Sequence, residues 1–424
     1  MIVMEQMKVF NKDKDVVSVV GLGYVGLTLS VVMAEKCIKV TGIDKNNEIF
    51  NCLSKGRSHF YEKGIQPRIA DLVSEESNAF FKVKQKIDDK SDVWIITVGT
   101  PLGDNEQPTL SFLEEVSNGI ATYLKKGDLV IARSTVPVGT IRSLVIPILE
   151  EGSSLKAGSD FHVVFAPERT IEGAALEEIQ QLPQIVGGYN EASVQYAKSF
   201  FEHFVSECVV TESLEAAEMV KLIDNTYRDF IFSYANQMSM VASKMGINFN
   251  SLVEIANYNY SRNKVPMPSP GVGGACLSKD PYLLRAAAKN FNTNADFIVQ
   301  GRKINESMPG HLIALIEEKA KSISINLADA NIFIMGMAFK GMPPTSDLRS
   351  SVSLDFLYLL KEKGCGDISA YDEYVSVDEI QSLGIDYNEV EVGVEAADII
   401  MILNNNPTYI EKPMYSYLTS KKGP

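Results

Sequence analysis

Apolar residues in this chain come in short β-type runs, each followed by a small or polar turn and then by a stretch with helical spacing. VVSVV at 16–20 predicts a buried strand, Leu27 to Lys36 a helix, and Ile38 to Ile43 a second strand. The runs Val93–Val98, Leu129–Arg133 and Val163–Ala166 predict further strands. Two more are expected at 185–188 and 208–210, around a helix at Glu191–Phe204. From Ser213 the rhythm changes. Residues 213–245 hold no glycine or proline and many helix formers, which predicts one long helix. The last third returns to the first rhythm, with strands at Ala330–Met335, Ile368–Tyr371 and Ile399–Leu403 and a helix at Leu354–Leu360. The order of elements is that of two α/β units joined by a helical middle.

Composition narrows the partners. The 424 residues are too many for one core. A net charge of -14 argues against nucleic acid, although a local cluster of cations could still hold an anionic small ligand. The five cysteines (37, 52, 208, 276 and 365) are scattered, without CxxC or metal-type spacing. No metal is expected, and reduced thiols fit a cytoplasmic protein. The stretch Val16 to Ala34 has no charged residue and is long enough to span a bilayer, but Gly21, Gly23 and Gly26 interrupt it. It reads better as strand, turn and helix, so no membrane partner is expected.

Gly21-Leu22-Gly23-Tyr24-Val25-Gly26 lies between the first strand and the first helix, and the second strand ends in Asp44. This is the dinucleotide fingerprint in the context it requires: glycines for the turn, for pyrophosphate approach and for helix packing. Asp44 stands where it can accept hydrogen bonds from a ribose, which favours NAD over NADP. The domain reading is therefore a Rossmann-type unit over 1–212, a central long-helix domain over 213–310 and a Rossmann-like α/β unit over 311–424. Thr100, Thr135 and Glu168 follow strand ends, where open parallel sheets bind ligands; ordinary turn chemistry explains each equally well.

Candidate chemistry continues downstream. Lys221, Asn225 and Arg228 are spaced to share a face of the long helix, as a solvated stripe or as the polar wall of a pocket. Pro268 to Pro281 contains three glycines, then Cys276, Lys279 and Asp280. A thiol beside a cation can serve as a nucleophile, although a free cysteine more often packs as a small hydrophobe. Lys340 and Arg349 flank a Pro-Pro-Thr-Ser-Asp loop and would make a cationic mouth for a diphosphate.

GLGYVGL, STVPVGT, APERTIEG, EMVKLIDNTYRD, GVGGACLSKD and GMAFKG…TSDLR occur in this order over nearly the whole chain. Together they resemble the nucleotide-sugar 6-dehydrogenases: the UDP-glucose, GDP-mannose and UDP-N-acetylhexosamine dehydrogenases. The resemblance implies four-electron oxidation of a sugar C6 alcohol to a uronate for polysaccharide biosynthesis, with two NAD per sugar. Lys221 or an Asp280-held water would handle the first proton. Cys276 would form a thiohemiacetal and then a thioester. Glu168 and Thr135 would position or activate the hydrolytic water, and Asn225 and Lys221 would stabilise the oxyanion. By the same resemblance Gly21, Gly23, Tyr24, Val25, Gly26, Asp44, Thr100 and Thr135 bind the cofactor. Arg169, Thr170, Lys221, Asn225, Arg228, Gly273, Phe339, Lys340 and Arg349 bind the UDP-sugar, and Arg262 reaches it from a partner subunit in a homodimer or higher oligomer.

NTYRD and the Arg-Thr after Pro-Glu resemble the N-acetylmannosamine or N-acetylglucosamine branch, whereas Lys279-Asp280 resembles the UDP-glucose branch. Family members usually continue into one more strand, so the third domain is expected to be short at its C-terminus. Two rivals stay open: a single-hydride 3-hydroxyacid-type dehydrogenase, and an NAD-binding protein without activity.

Overall fold

The computed structural model describes residues 8–74 and 79–409. They divide into two compact units, the first holding the described residues up to 224 together with 282–294, the second 225–281 together with the described residues from 295 onward. Because the last described residue is Tyr409, the expected shortness of the C-terminus lies outside the described residues.

The first unit is built on an eight-stranded sheet of β1 Val16–Val20, β2 Lys39–Ile43, β3 Phe81–Lys84, β4 Val93–Ile96, β5 Leu129–Ala132, β6 His162–Phe165, β7 Gln184–Gly188 and β8 Cys208–Val210. The spatial order is β3-β2-β1-β4-β5-β6-β7-β8, and all pairs are parallel except β6 with β7. Because strand side chains alternate in direction, each central strand serves two cores. Val93, Ile95, Leu129 and Ile131 enter one, while Trp94, Ile96, Val130 and Ala132 enter the other. With both faces covered, the strands read as continuous apolar runs.

Strand β3 has no counterpart in the sequence reading, because FKVK is short and half charged. The first helix spans Tyr24–Glu35, three residues ahead of the expected Leu27, because extended Gly23 is its N-cap and the fingerprint forms its first turn. The helix expected to end at Phe204 ends at Phe201.

The long helix runs from Leu214 to Lys244 and passes from the first unit into the second at Asp224–Asn225. A 27-residue helix, Asp296–Ser322, that periodicity does not single out belongs to the second unit. That unit also carries a four-stranded parallel sheet of β9 Ile332–Met335, β10 Ile368–Tyr371, β11 Asp386–Tyr387 and β12 Ile399–Ile402, in the order β11-β10-β9-β12. Ile332 and Ile334 face one core, and Phe333 and Met335 the other. Among the described residues no helix is long and apolar enough to cross a membrane.

Candidate active site

In the first unit the glycine loop leaves β1 at the carboxyl edge of the sheet. A Cβ on Gly26 would lie 1.8 Å from the Gly21 carbonyl oxygen, so only glycine lets the helix sit this close to the loop. At Gly23 a Cβ would meet nothing within 4 Å, so the backbone there borders open space, the cradle a pyrophosphate requires. Asp44 accepts the Leu22 N–H at 2.8 Å and the Asn46 N–H at 2.9 Å. It therefore shapes the glycine loop, and as a half-exposed carboxylate it retains lone pairs for a ribose. Tyr24 and Val25 open the helix and are half-buried. These residues fit a bound NAD.

Tyr24 carries a second task. Its hydroxyl donates to Glu62, and Glu62 accepts the N–H groups of Gly173 at 2.5 Å and Ala175 at 2.9 Å. Burial, reinforced by Glu62, raises the Tyr24 phenol well above its ordinary range. The contact ties the fingerprint helix to the loop that carries Glu168, Arg169 and Thr170. Nothing local in the sequence marks Glu62, because its partners on that loop lie more than a hundred residues further on.

The strand-end residues are held by one another. Thr100 is buried, and its hydroxyl donates to the Thr135 carbonyl at 2.6 Å, joining the turns after β4 and β5. Glu168 is 7% exposed and pairs with Arg133 at 2.5 Å. Its other oxygen accepts the N–H groups of Arg169 and Thr170, each at 2.8 Å. Burial pushes the Glu168 carboxyl up, but the charge and hydrogen bond of Arg133, the Thr170 N–H and the nearby Lys221 charge outweigh it and hold it below its ordinary value. A carboxylate so held is suited to positioning more than to taking a proton. Arg169 pairs with Asp224 at 3.0 Å, and Lys221 is 8% exposed. Three residues before Lys221, the Glu218 carboxylate accepts the N–H groups of Gly139 at 2.5 Å and Ile141 at 3.0 Å, at the end of STVPVGT. Burial pushes the Glu218 carboxyl up to about 7 against the pull of these two donors.

In the second unit the cysteine loop is folded against the loops that follow β9. Gly274 has φ +92°, and a Cβ there would lie 2.7 Å from the Phe339 ring. Its N–H donates to the Ser350 carbonyl at 2.9 Å. A Cβ on Gly273 would lie 2.5 Å from the same oxygen. Cys276 is exposed. Its carbonyl accepts the Asp280 N–H at 3.0 Å, where the helix Asp280–Asn290 begins. The Asp280 side chain is fully buried and accepts from Asn225 at 2.5 Å and from Lys279 at 2.8 Å. Lys340 lies over the Phe339 ring at 5.4 Å. Arg349 is exposed and forks onto Asp347. The structure thus gathers Asn225, Gly273, Cys276, Asp280 and Phe339 in one region of this unit. Arg262 stands apart on an exposed loop, 5.8 Å from the ring of Tyr260.

The polar row on the long helix takes a different course from the one its spacing suggests. Arg228 is exposed, and the buried row in the second unit is Asn225, Asp229, Ser233 and Asn236. An i+4 step advances about 40° round a helix, whereas an i+3 step falls back about 60°. Continuing from Asn225 by four, not three, leads to Asp229. On the facing helix, Arg302 pairs with Asp229 at 2.8 Å, and Asn305 donates to the same carboxylate at 2.9 Å.

At the end of β10, Asp372 repeats the placement of Asp44. It is 4% exposed and accepts the N–H groups of Met337, Ala338, Tyr374 and Val375 at 2.8–3.3 Å.

Comparison with known proteins gives three matches to the UDP-glucose/GDP-mannose dehydrogenase family: its NAD binding domain over residues 15–205, its central domain over 215–307 and its UDP binding domain over 333–422. A UDP-N-acetyl-D-mannosamine dehydrogenase of Pyrococcus horikoshii is 34% identical over 93% of this chain and 90% of its own length. One from Campylobacter jejuni is 32% identical over 96% and 98%. The solved structure of a UDP-D-ManNAc dehydrogenase from Pyrococcus horikoshii superposes with a TM-score of 0.85 at 33% identity, covering 96% of this chain and 93% of that one.

Proposed function

Because the chain belongs to the UDP-glucose/GDP-mannose dehydrogenase family, we propose that it oxidises the C6 alcohol of a UDP-N-acetylhexosamine, mannosamine or glucosamine, to the uronate. Membership makes it an NAD-dependent oxidoreductase, which sets aside the single-hydride hydroxyacid reading. The names of its relatives favour the N-acetylhexosamine over UDP-glucose. The observation that carries the chemistry is the exposed Cys276, four residues ahead of a helix that opens on buried Asp280, itself gripped by Asn225 and Lys279.

Held by the glycine loop with Asp44, Thr100 and Thr135, NAD would supply the hydride acceptor for each of the two oxidations. The chain's own residues do the rest. Lys221, or a water held by Asp280, takes the proton that the alcohol loses as it becomes an aldehyde. The Cys276 sulfur, as thiolate, then adds to the aldehyde carbon, and Asn225 and Lys221 donate to the resulting oxyanion. Loss of the second hydride leaves a thioester. Water attacks its carbonyl, the carbon–sulfur bond breaks, and the uronate and the free thiol are released. Glu168 and Thr135 position that water. Arg169, Thr170, Arg228, Gly273, Phe339, Lys340 and Arg349 hold the nucleotide sugar.

Tyr227, Tyr234, Met238 and Val241 are exposed along the long helix at helical spacing. A second copy of this chain is the occupant we assign to that face, with Arg262 reaching the partner's sugar site. A thiol that must stay reduced to react supports a cytoplasmic location.

The test is a count of NADH per sugar over a panel of UDP-sugars, with wild type and Cys276→Ser. Two NADH per UDP-N-acetylhexosamine, and no uronate from Cys276→Ser, are expected. Uronate formation at the wild-type rate by Cys276→Ser would overturn the thioester route, and preferred turnover of UDP-glucose would overturn the sugar assignment.

A further inference from the structure

We propose that Arg302 is a positioning residue for Cys276: its guanidinium, held by Asp229 and Asn305, fixes the peptide planes on either side of the thiol. The proposal deepens the Cys276 reading and rests on it.

Arg302 is 2% exposed. It donates to the Val272 carbonyl at 2.9 Å and, at a longer 3.4 Å, to the Leu277 carbonyl. These carbonyls lie on either side of Cys276 in the sequence. A trans peptide holds its C=O antiparallel to the next N–H. The fork therefore also turns the Gly273 and Ser278 N–H groups away from Arg302. Ser278 N–H accordingly reaches the Gly274 carbonyl at 3.3 Å.

The fork is itself immobilised. Asp229 accepts from it at 2.8 Å, and Asn305 donates to both the Asp229 carboxylate and its carbonyl at 2.9 Å. Asn236 donates to Asn305 at 2.9 Å and accepts the Ser269 N–H at 2.8 Å, at the start of the loop. Asp229, Asn236 and Asn305 are each no more than 1% exposed. Two helices thus grip one glycine-rich loop at its start and on both sides of the thiol. Gly301 permits this, since a Cβ there would lie 2.8 Å from the Ser233 hydroxyl. A loop with this many glycines has little stiffness of its own, so the direction of its thiol must come from outside it.

Removing Arg302 alone strands a buried carboxylate and destabilises the fold. Two variants avoid that. Asp229→Asn with Arg302→Met removes both charges, while Arg302→Lys keeps the ion pair but cannot span two carbonyls. The readout is NADH per UDP-sugar, with any released aldehyde trapped by an aminooxy reagent. A misplaced thiol stalls only the half of the reaction that needs it. Both variants are expected to bind NAD as wild type does, to lose about 100-fold in kcat for uronate, and to move from two NADH per sugar towards one as trapped aldehyde accumulates. An unchanged kcat, or a loss of rate with the ratio still at two, overturns the proposal. Cys276→Ser in the same assay separates the two ideas: if it too gives two NADH and uronate, the nucleophile reading fails; if it stalls and the Arg302 variants do not, only the positioning role fails.

Discussion

Glu218 gives this fold a pH dependence that can be worked from its surroundings. Its carboxyl is 1% exposed and caps the Gly139–Ile141 backbone. Burial raises its folded value to about 7 from the ordinary 4.5. Between those values the folded protein holds a proton that the unfolded chain has released. The contribution to stability is therefore complete in acid, below 4.5, and is lost as pH rises through 7. Taking 4.5 for the unfolded chain, the loss between pH 5 and pH 8 is about 2.5 kcal/mol. Glu218→Gln cannot ionise and keeps an acceptor for one of the two N–H groups. The single tryptophan, Trp94, is fully buried in the same unit, so its fluorescence in urea reports the unfolding that matters. The wild-type minus variant difference in unfolding free energy should change by about 2.5 kcal/mol from pH 5 to pH 8, while other titrating groups cancel. Parallel pH profiles for the two proteins would refute the assignment.

Two more outcomes follow from the geometry. Gly26→Ala forces a Cβ to 1.8 Å from the Gly21 oxygen; it should destabilise the protein by about 1–3 kcal/mol and weaken NAD binding measured by calorimetry, and unchanged affinity would dissociate this packing from the cofactor. Tyr234→Glu places a charge in the centre of the exposed apolar face of the long helix; light scattering should show dimer giving way to monomer, and an unaltered mass would remove that face as the contact.

Much of the first unit is legible in the sequence because its signals are local. Glycines, helix and Asp44 lie within one strand–helix–strand repeat, and parallel strands buried on both faces announce themselves as apolar runs. The partners of Glu168 and Tyr24 are not legible in that way. Arg133 and Glu62 are ordinary charged residues until the fold brings them to a buried carboxylate and to a phenol. The grip on the cysteine loop is half visible: the Lys221–Asn225 spacing stands in the sequence, but Asp229 follows from it only if the buried sector is known. Arg302 lies on a helix that contains Pro309 and Gly301, residues that weaken a helical reading although close packing accommodates them.

Asp44 and Asp372 close their second strands in the same place, yet they do not have the same capacity left. The backbone draws on Asp44 through Leu22 and Asn46, and on Asp372 through four N–H groups in a buried setting. A repeated architecture thereby acquires two different vocabularies without a change of residue type. One aspartate can still address a ligand's hydroxyl groups, whereas the other speaks only to its own chain. Its whole capacity goes into pinning the turns that follow β9 and β10 to each other.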